Sequence, residues 1–255
     1  MPRFSILIPA RNEEQYLPGC LESIRRAAEP FPDQVERIVA VNRCTDRTEE
    51  IALAHGASVV HSDARNLAKI RNAAANAATG DIIVTIDADS RMSPKMLLDI
   101  ERLLRTGRYI GGGVMIWPER WSLGIVATAI MLLPVVLRHR VSGGLFWCLR
   151  EDFEAIGGFN ESWITVEDID FAKRLKAHGK SQGKRFTTIL KSHIVTSCRK
   201  FDRFGDWYLI RNPGMVRRIF TGKSQKDADH FYYDFERSLP NTGESAAEPG
   251  SGTTE

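Results

Sequence analysis

Residues Asp81–Ser90 read DIIVTIDADS, and this stretch decides the fold class. Ile82 to Ile86 is an unbroken β-branched run. Such a run suits a strand buried on both faces, as at the centre of a parallel sheet. The chain then passes from its most apolar strand straight into two carboxylates, Asp87 and Asp89, with Ala88 between them.

Working toward the N-terminus, Leu67 to Ala78 is Ala-rich and predicts a helix that ends before Gly80. Ser58 to His61 predicts a strand. Thr45 to His55 predicts a helix with Thr45 or Asp46 as its cap, and Arg37 to Val41 another strand. Leu17, Leu21 and Ile24 recur at helical spacing, and Phe4 to Ile8 predicts a strand ending at Pro9. On the other side, Ser93-Pro94 opens a helix through Leu104, with proline at an early position. This β-α-β-α-β-α-β order predicts the α/β class: a doubly wound, mostly parallel sheet with helices on both faces. No internal repeat is present.

In such sheets ligands bind beyond the carboxyl ends of the strands. The residues there are Pro9-Ala10-Arg11-Asn12-Glu13, Asn42-Arg43-Cys44 and Asp87-Ala88-Asp89. None forms a dinucleotide or P-loop fingerprint, so a ligand here meets carboxylates rather than a glycine cradle. Two acids beside a buried sheet repel each other and lose solvation, and a divalent cation relieves both costs. Hard oxygen ligands suit Mg²⁺ or Mn²⁺, which commonly take one or two carboxylates plus substrate phosphates. A polar turn is the alternative reading of Asp-x-Asp. A second acidic cluster is Glu167-Asp168-Ile169-Asp170. Phe171 and Leu175 place it at the start of a helix, where the dipole favours acids. Three acids in four residues exceed that requirement, and a carboxylate beside a bound sugar can take a proton from an acceptor hydroxyl.

Bulk composition bounds the rest. The chain has 255 residues, 43% hydrophobic and 26% charged, which excludes disorder of the whole. Residues 240–255 lack large apolar side chains and predict a flexible tail. Four widely spaced cysteines without C-x-x-C indicate neither a zinc knuckle nor a disulfide framework, and fit a reducing cytoplasm. The apolar run of the N-terminus is too short for a signal peptide. The formal charge of +3 hides an asymmetry: −4 over residues 1–172, +13 over 173–226 and −6 over 227–255. The +13 stretch is either a solvated face or one that meets an anionic partner, whether phosphate, nucleic acid or a membrane surface. No nucleic-acid module is recognisable. Leu123 to Leu137 carries no charge over 15 residues. It is shorter than the roughly 20 residues of a bilayer span and is interrupted by Pro134. It reads as a buried helix or as one lying in a membrane interface.

Four features occur in one order: SILIPARNEEQYLPGCLESI, Asp87-Ala88-Asp89, Ser142-Gly143-Gly144 with Glu151 to Phe159, and Glu167-Asp168-Ile169-Asp170. Together, over roughly residues 3–205, they resemble the family 2 glycosyltransferases, which have the GT-A fold. The resemblance implies a metal-dependent, inverting enzyme that moves a sugar from a nucleotide diphosphate, most often UDP, to a hydroxyl acceptor. It implies one GT-A domain over residues 1–239, with a nucleotide-binding half to about 110 and an acceptor half from about 111. Pro9, Ala10, Arg11 and Glu13 would line the nucleotide pocket. Asp87 would face the ribose or the metal, Asp89 would be the direct ligand of Mn²⁺ or Mg²⁺, and Asp168 the general base, with Glu167 the second candidate. The family's acidic run after the second strand is replaced by Asn42-Arg43-Cys44. Asn42 can still hydrogen-bond a base edge through its amide, but uracil specificity loses its usual carboxylate. Lys69 and Arg71 either help hold the nucleotide or are surface helix charges. His193 is either a third metal ligand or phosphate contact, or a satisfied core histidine. Arg199, Lys200 and Arg203, interleaved with Phe201 and Phe204, suit a lid over the diphosphate. A lipid-linked acceptor at the inner face of the membrane would explain both the apolar segment and the basic stretch; no nucleic-acid partner is implied.

Alternatives stay open at this point, an inactive transferase-like scaffold among them. A sugar-phosphate nucleotidylyltransferase also uses a doubly wound sheet and acidic metal ligands, though PARNEEQYL is not its Gly-rich basic loop. A non-catalytic protein that binds an anionic surface would use the +13 stretch alone.

Overall fold

The computed structural model describes residues 3–139 and 143–220. The tail expected over 240–255 lies outside these, as does Ser142. Strands β1 (Phe4–Ala10), β2 (Val35–Val41), β3 (Ser58–His61) and β4 (Ile82–Ile86) alternate with helices α1 (Leu17–Ala28), α2 (Thr48–Ala54) and α3 (Leu67–Asn76). After β4 come β5 (Ser90–Met92), α4 (Met96–Arg105), β6 (Tyr109–Pro118), α5 (Leu123–His139), β7 (Leu145–Leu149) and α6 (Arg150–Ala155). Then follow α7 (Glu167–Ser181), β8 (Arg185–Thr196), α8 (Arg199–Phe204), α9 (Tyr208–Arg211) and α10 (Pro213–Phe220).

One eight-stranded sheet has the order β3-β2-β1-β4-β7-β6-β8-β5. The half built from β3, β2, β1 and β4 is wholly parallel. Beyond it β7 runs antiparallel to both β4 and β6, β6 and β8 are parallel, and β5 closes the edge antiparallel to β8. β4 sits in the middle with all five residues buried, as its β-branched run requires.

The strands bury both faces because their side chains alternate. On one face Phe4, Ile6 and Ile8 of β1 and Val84 and Ile86 of β4 pack against Leu21 and Ile24 of α1 and Leu97 and Ile100 of α4. On the other, Leu7 and Ile83 pack against Ala68, Ile70 and Ala74 of α3 and Phe171 and Leu175 of α7. Trp147 of β7 is fully buried against a run of glycines in β6. A Cβ at Gly112 would lie 2.6 Å from Trp147 Cζ2, so only glycine leaves room for the indole there.

Three local expectations shift. The helix expected from Thr45 begins at Thr48, because the Asp46 carboxylate accepts the Thr48 N–H at 3.0 Å and its hydroxyl at 2.6 Å, holding the preceding turn open. The helix expected at Ser93-Pro94 begins at Met96, whose N–H is donated to the Ser93 carbonyl. β5 had no sequence signal, since three residues are too few to display a period. The Leu123–Leu137 segment is neither wholly buried nor a span: α5 buries Ile125 and Thr128 and exposes Leu123, Val126, Ile130 and Leu133. Among the described residues no helix is long and apolar enough to cross a membrane.

Candidate active site

The parallel strands β1, β2 and β4 end on one edge, and their last residues open into a cleft of about 340 Å³. Pro9, Ala10, Arg11 and Glu13 come from the end of β1, Asn42 from β2, and Asp87 and Asp89 from β4. The opposite wall is the start of α7, with Glu167 and Asp168, joined by Arg199 and Lys200 of α8 and by Ile219 of α10. The structure therefore brings most of the candidate residues to one place, although they come from chain positions far apart.

β5 is what carries α8 there. Ser90 to Met92 pair with Ile194 to Thr196, and the Ser197 N–H is donated to the Asp89 carbonyl at 3.1 Å. The chain after β8 thus leaves beside Asp89. The Arg199 guanidinium forks onto the Glu13 carboxylate at 2.6 and 2.8 Å, approaches Asp89 Oδ2 at 3.3 Å and stacks over the Tyr16 ring at 4.9 Å. Burial pushes Glu13 up to about 7, against the pull of Arg199, and the charges of Asp89 and Asp87 add to the rise. Burial likewise pushes Asp89 up, opposed by Arg199 and seconded by Asp87. The Lys200 ammonium is pushed down by burial, with Asp89 pulling the other way.

On the far side of the cleft a second arginine plays a comparable part. Arg71 is buried on α3 and donates to Asp87 Oδ1 at 2.8 Å and to Glu167 Oε1 at 2.7 Å. It links the end of β4 to the start of α7. Its Nε, also buried, has no hydrogen-bond partner among the described residues. Burial raises Glu167 and Asp168, and the Arg71 charge opposes both shifts. Asp168 Oδ1 accepts the Ile169 N–H at 2.7 Å. A Cβ at Gly143 would stand 2.7 Å from Asp168 Oδ2, so the Asp168 carboxylate has backbone against it where any side chain would collide.

Several residues do not take the expected places. Asn42 lines the cleft, but both its amide protons are committed to carbonyls, Ser62 at 2.5 Å and Ala64 at 2.8 Å. It braces the loop after β3 rather than offering donors to a base edge. Arg71 is an internal bridge, not a surface charge, whereas Lys69 is exposed and outside the cleft lining. His193 is not among the lining residues: it lies within β8 and its ring stacks on Trp117 at 3.9 Å. Arg203 is exposed, with its guanidinium over the Phe204 ring at 5.5 Å, so of the three lid candidates Arg199 and Lys200 reach the cleft.

Other lining residues carried no legible signal. Val166 precedes the acidic pair with φ of 59°, a left-handed conformation that a β-branched residue rarely adopts. Thr165 donates its hydroxyl to the Ile219 carbonyl at 2.6 Å and so ties α10 to the cleft wall.

Among the described residues no group of three or more His, Cys, Asp or Glu side chains is arranged to hold a metal ion. The fit is of another kind. Asp87 and Asp89 supply hard oxygen donors, and Asp89 is pushed up by burial and by the neighbouring Asp87 charge, which matches a divalent ion that takes one or two carboxylates and completes its shell with phosphates and water.

Comparisons with known proteins bear on the family and the fold. The profile of the family described as Glycosyl transferase family 2 matches residues 5–134. An uncharacterized glycosyltransferase of Mycobacterium tuberculosis is 32% identical over 143 residues, covering 54% of this chain and 61% of the relative. The chain thus spans about three fifths of the length of the curated relative it matches. Staphylococcus aureus TarS 1–349 in complex with UDP-GlcNAc superposes with a TM-score of 0.62 at 16% identity, over 91% of this chain and 71% of that one. Mannosyltransferase PcManGT from Pyrobaculum calidifontis, in complex with GDP-Man and Mn²⁺, gives 0.63 at 19% identity, over 92% and 70%. The fold is that of the GT-A glycosyltransferases.

Proposed function

Because the chain belongs to glycosyl transferase family 2, we propose that it transfers a sugar from a nucleotide diphosphate donor to an acceptor hydroxyl, with inversion. The observation that carries this reading is the shared cleft: Asp87 and Asp89 at the end of β4 face the α7 start that bears Asp168. One wall is suited to a metal–diphosphate, the other to a base, with room for a sugar between them.

Pro9, Ala10, Arg11 and Glu13 border the nucleotide. Asp89, with Asp87, would hold Mn²⁺ or Mg²⁺, which when bound offsets negative charge on the departing diphosphate. Arg199 and Lys200 supply further positive charge to the phosphate oxygens, Arg199 by exchanging its fork from Glu13 to phosphate. Asp168 accepts the acceptor's hydroxyl proton as the new glycosidic bond forms, and the bond to the diphosphate breaks on the opposite face of the sugar. Glu167, held by Arg71, fixes the first turn of α7 that aims Asp168. A single displacement of this kind inverts the anomeric centre. UDP is the donor nucleotide of this reading, supported by the fold shared with the TarS complex that holds UDP-GlcNAc; the similarly folded PcManGT holds GDP-Man. The exposed apolar side chains of α5 and the exposed arginines of the acid-free α9 and α10 support a lipid-linked acceptor, with the enzyme at the inner, cytoplasmic face of a membrane.

Titration calorimetry with UDP and GDP, each with and without Mn²⁺, tests the donor reading. Metal-dependent binding of UDP that is abolished in Asp89→Ala is expected; no binding of either nucleotide in the presence of Mn²⁺ would refute it.

A further inference from the structure

We propose that α5, together with the arginine-bearing face of α9 and α10, is a docking surface for an anionic lipid membrane. The inference deepens the reading of a lipid-linked acceptor, but the surface is separate from the cleft and is testable without turnover.

The apolar part is continuous on one side of α5. Leu123 (81% exposed), Val126, Ile130 (64%) and Leu133 (47%) recur at three- and four-residue spacing, one helical face. Trp121, 63% exposed, stands just before the helix, and Trp207 is exposed at the start of α9. Exposed apolar side chains are ordinary when scattered; a whole helix face of them marks an interaction surface. Tryptophans at the edge of such a face suit the headgroup layer, where one part of the ring is dry and another wet.

The helix is not loosely attached. Gly124 sits directly on Asp206, where a Cβ would come within 2.7 Å of its backbone. Arg120 donates to both Asp202 at 2.6 Å and Asp206 at 2.7 Å, which fastens the start of α5 to the junction of α8 and α9. The exposed stripe is therefore held outward on a braced helix, not left by an unpacked one.

Charge selects the occupant. From Arg120 to Arg150 the chain contains no Asp or Glu, and Arg138, His139 and Arg140 follow the stripe in sequence. From Trp207 to Lys226 there is again no acid, while Arg211, Arg217 and Arg218 are exposed on α9 and α10. An apolar stripe beside acid-free, arginine-bearing helices matches a lipid surface with negative headgroups. A second copy of the chain would bring the same acid-free, arginine-bearing helices against its own. Thr165 links α10 to the cleft wall, so a membrane at this surface would lie beside the opening that an acceptor must enter.

Flotation of the full chain with vesicles tests this, using phosphatidylcholine alone and an equal mixture of phosphatidylcholine and phosphatidylglycerol. The protein should float with the mixture, remain unbound with phosphatidylcholine alone, and release as salt is raised. Ile130→Glu/Leu133→Glu should lower the bound fraction roughly tenfold or more, by putting charge into the apolar stripe. Arg211→Glu/Arg217→Glu should lower it by about fivefold for each arginine lost. Both pairs are exposed, and Ile130→Ser/Leu133→Ser repeats the first test with smaller side chains. Emission from Trp121 should shift blue on the mixed vesicles, a change reduced in Trp121→Phe. No flotation with the mixture, equal flotation of the glutamate variant, or a dimer in light scattering that the glutamate variant dissociates would each overturn the proposal. UDP binding measured on the same samples separates the two readings: loss of UDP binding in the unmodified chain rejects the donor assignment and leaves the flotation result standing.

Discussion

Arg71 and Arg199 are alike in chemistry and unlike in setting. Each spans two carboxylates of the cleft: Arg71 joins Asp87 to Glu167, and Arg199 joins Glu13 to Asp89. Arg71 lies on α3 under the sheet edge, with its side chain 5% exposed. Arg199 lies on α8, a short helix that buries none of its residues, and its side chain is 20% exposed. The first pair of contacts connects the end of the central strand to the start of α7 through a buried guanidinium. The second connects the core to a helix at the mouth. A charge bridge deep in the fold fixes geometry, whereas the same bridge at the rim can be traded for a ligand's charges.

Breaking the deep bridge should have the largest effect. Arg71→Ala strands the buried Glu167 without its cation, while Asp87 keeps access to water, and removing one partner of a buried ion pair typically costs about 3–5 kcal/mol. Urea unfolding should register a loss of that size. Arg71→Met/Glu167→Met, which removes one charge of each sign, should be less destabilised than Arg71→Met alone. If the single and double variants unfold together, the bridge is not what holds β4 to α7.

The base on the same wall should respond next. Asp168→Asn should keep nucleotide affinity while the turnover number falls about 10²- to 10⁴-fold. The sign of the pH dependence follows from burial, which raises the Asp168 carboxyl above the usual carboxylate range while the Arg71 charge pulls it back. A base must be ionised, so activity should fall as pH is lowered through that raised value. In Arg71→Met the acid limb should move to still higher pH, as the opposing charge is gone. A limb that stays put would separate Arg71 from the base.

The comparison also explains what the sequence disclosed. β1 to β4 were readable because buried parallel strands carry their own signature, and the strand ends then pointed to Asp87 and Asp89. Asp168, which lines the cleft, stood out through an excess of acids at a helix start. Neither arginine bridge was visible in the same way. Glu13 and Arg199 are 186 residues apart and meet only because β5, itself too short to announce, pairs with the end of β8. Arg71 reads as one more charge on a helix until the fold shows which side of α3 is covered. Asn42 offered an amide that could serve a base, and only the position of the Ser62 and Ala64 carbonyls reveals that its protons are already taken. His193 carried a ligand's chemistry at the right distance along the chain, yet β8 places its ring against Trp117.

At the rim the effects should be smaller and of a different kind. Arg199→Ala removes a partly exposed bridge, and a stability loss of about 1.5 kcal/mol is expected, the lower end of the range for hydrogen bonds to charged groups. Its affinity for UDP with Mn²⁺ should fall roughly tenfold, since a charge-assisted fork to phosphate is lost. Arg71→Ala and Arg199→Ala would then differ in which measurement each moves most, melting for the former and ligand binding for the latter. Equal losses of stability would erase the distinction between strut and exchangeable contact.

The smallest change is one methyl group at Gly143. Its Cβ would stand 2.7 Å from Asp168 Oδ2, closer than a carbon and a carboxylate oxygen can rest, so the carboxylate must turn aside. Replacing glycine by alanine also narrows the unfolded ensemble, which favours folding by about 0.4–1 kcal/mol where the backbone permits it. The two effects oppose each other, and thermal melting of Gly143→Ala should stay within about 1 kcal/mol of the parent. Turnover should not be spared, because a displacement near 1 Å at a reacting group can cost on the order of 10²-fold. Donor affinity should be unchanged, as the Asp87–Asp89 wall is untouched. A variant that melts like the parent, binds UDP like the parent and turns over slowly would locate the chemistry on the Asp168 wall, the one braced by Arg71. A variant with full turnover would mean that Asp168 does not need the position that Gly143 leaves open to it.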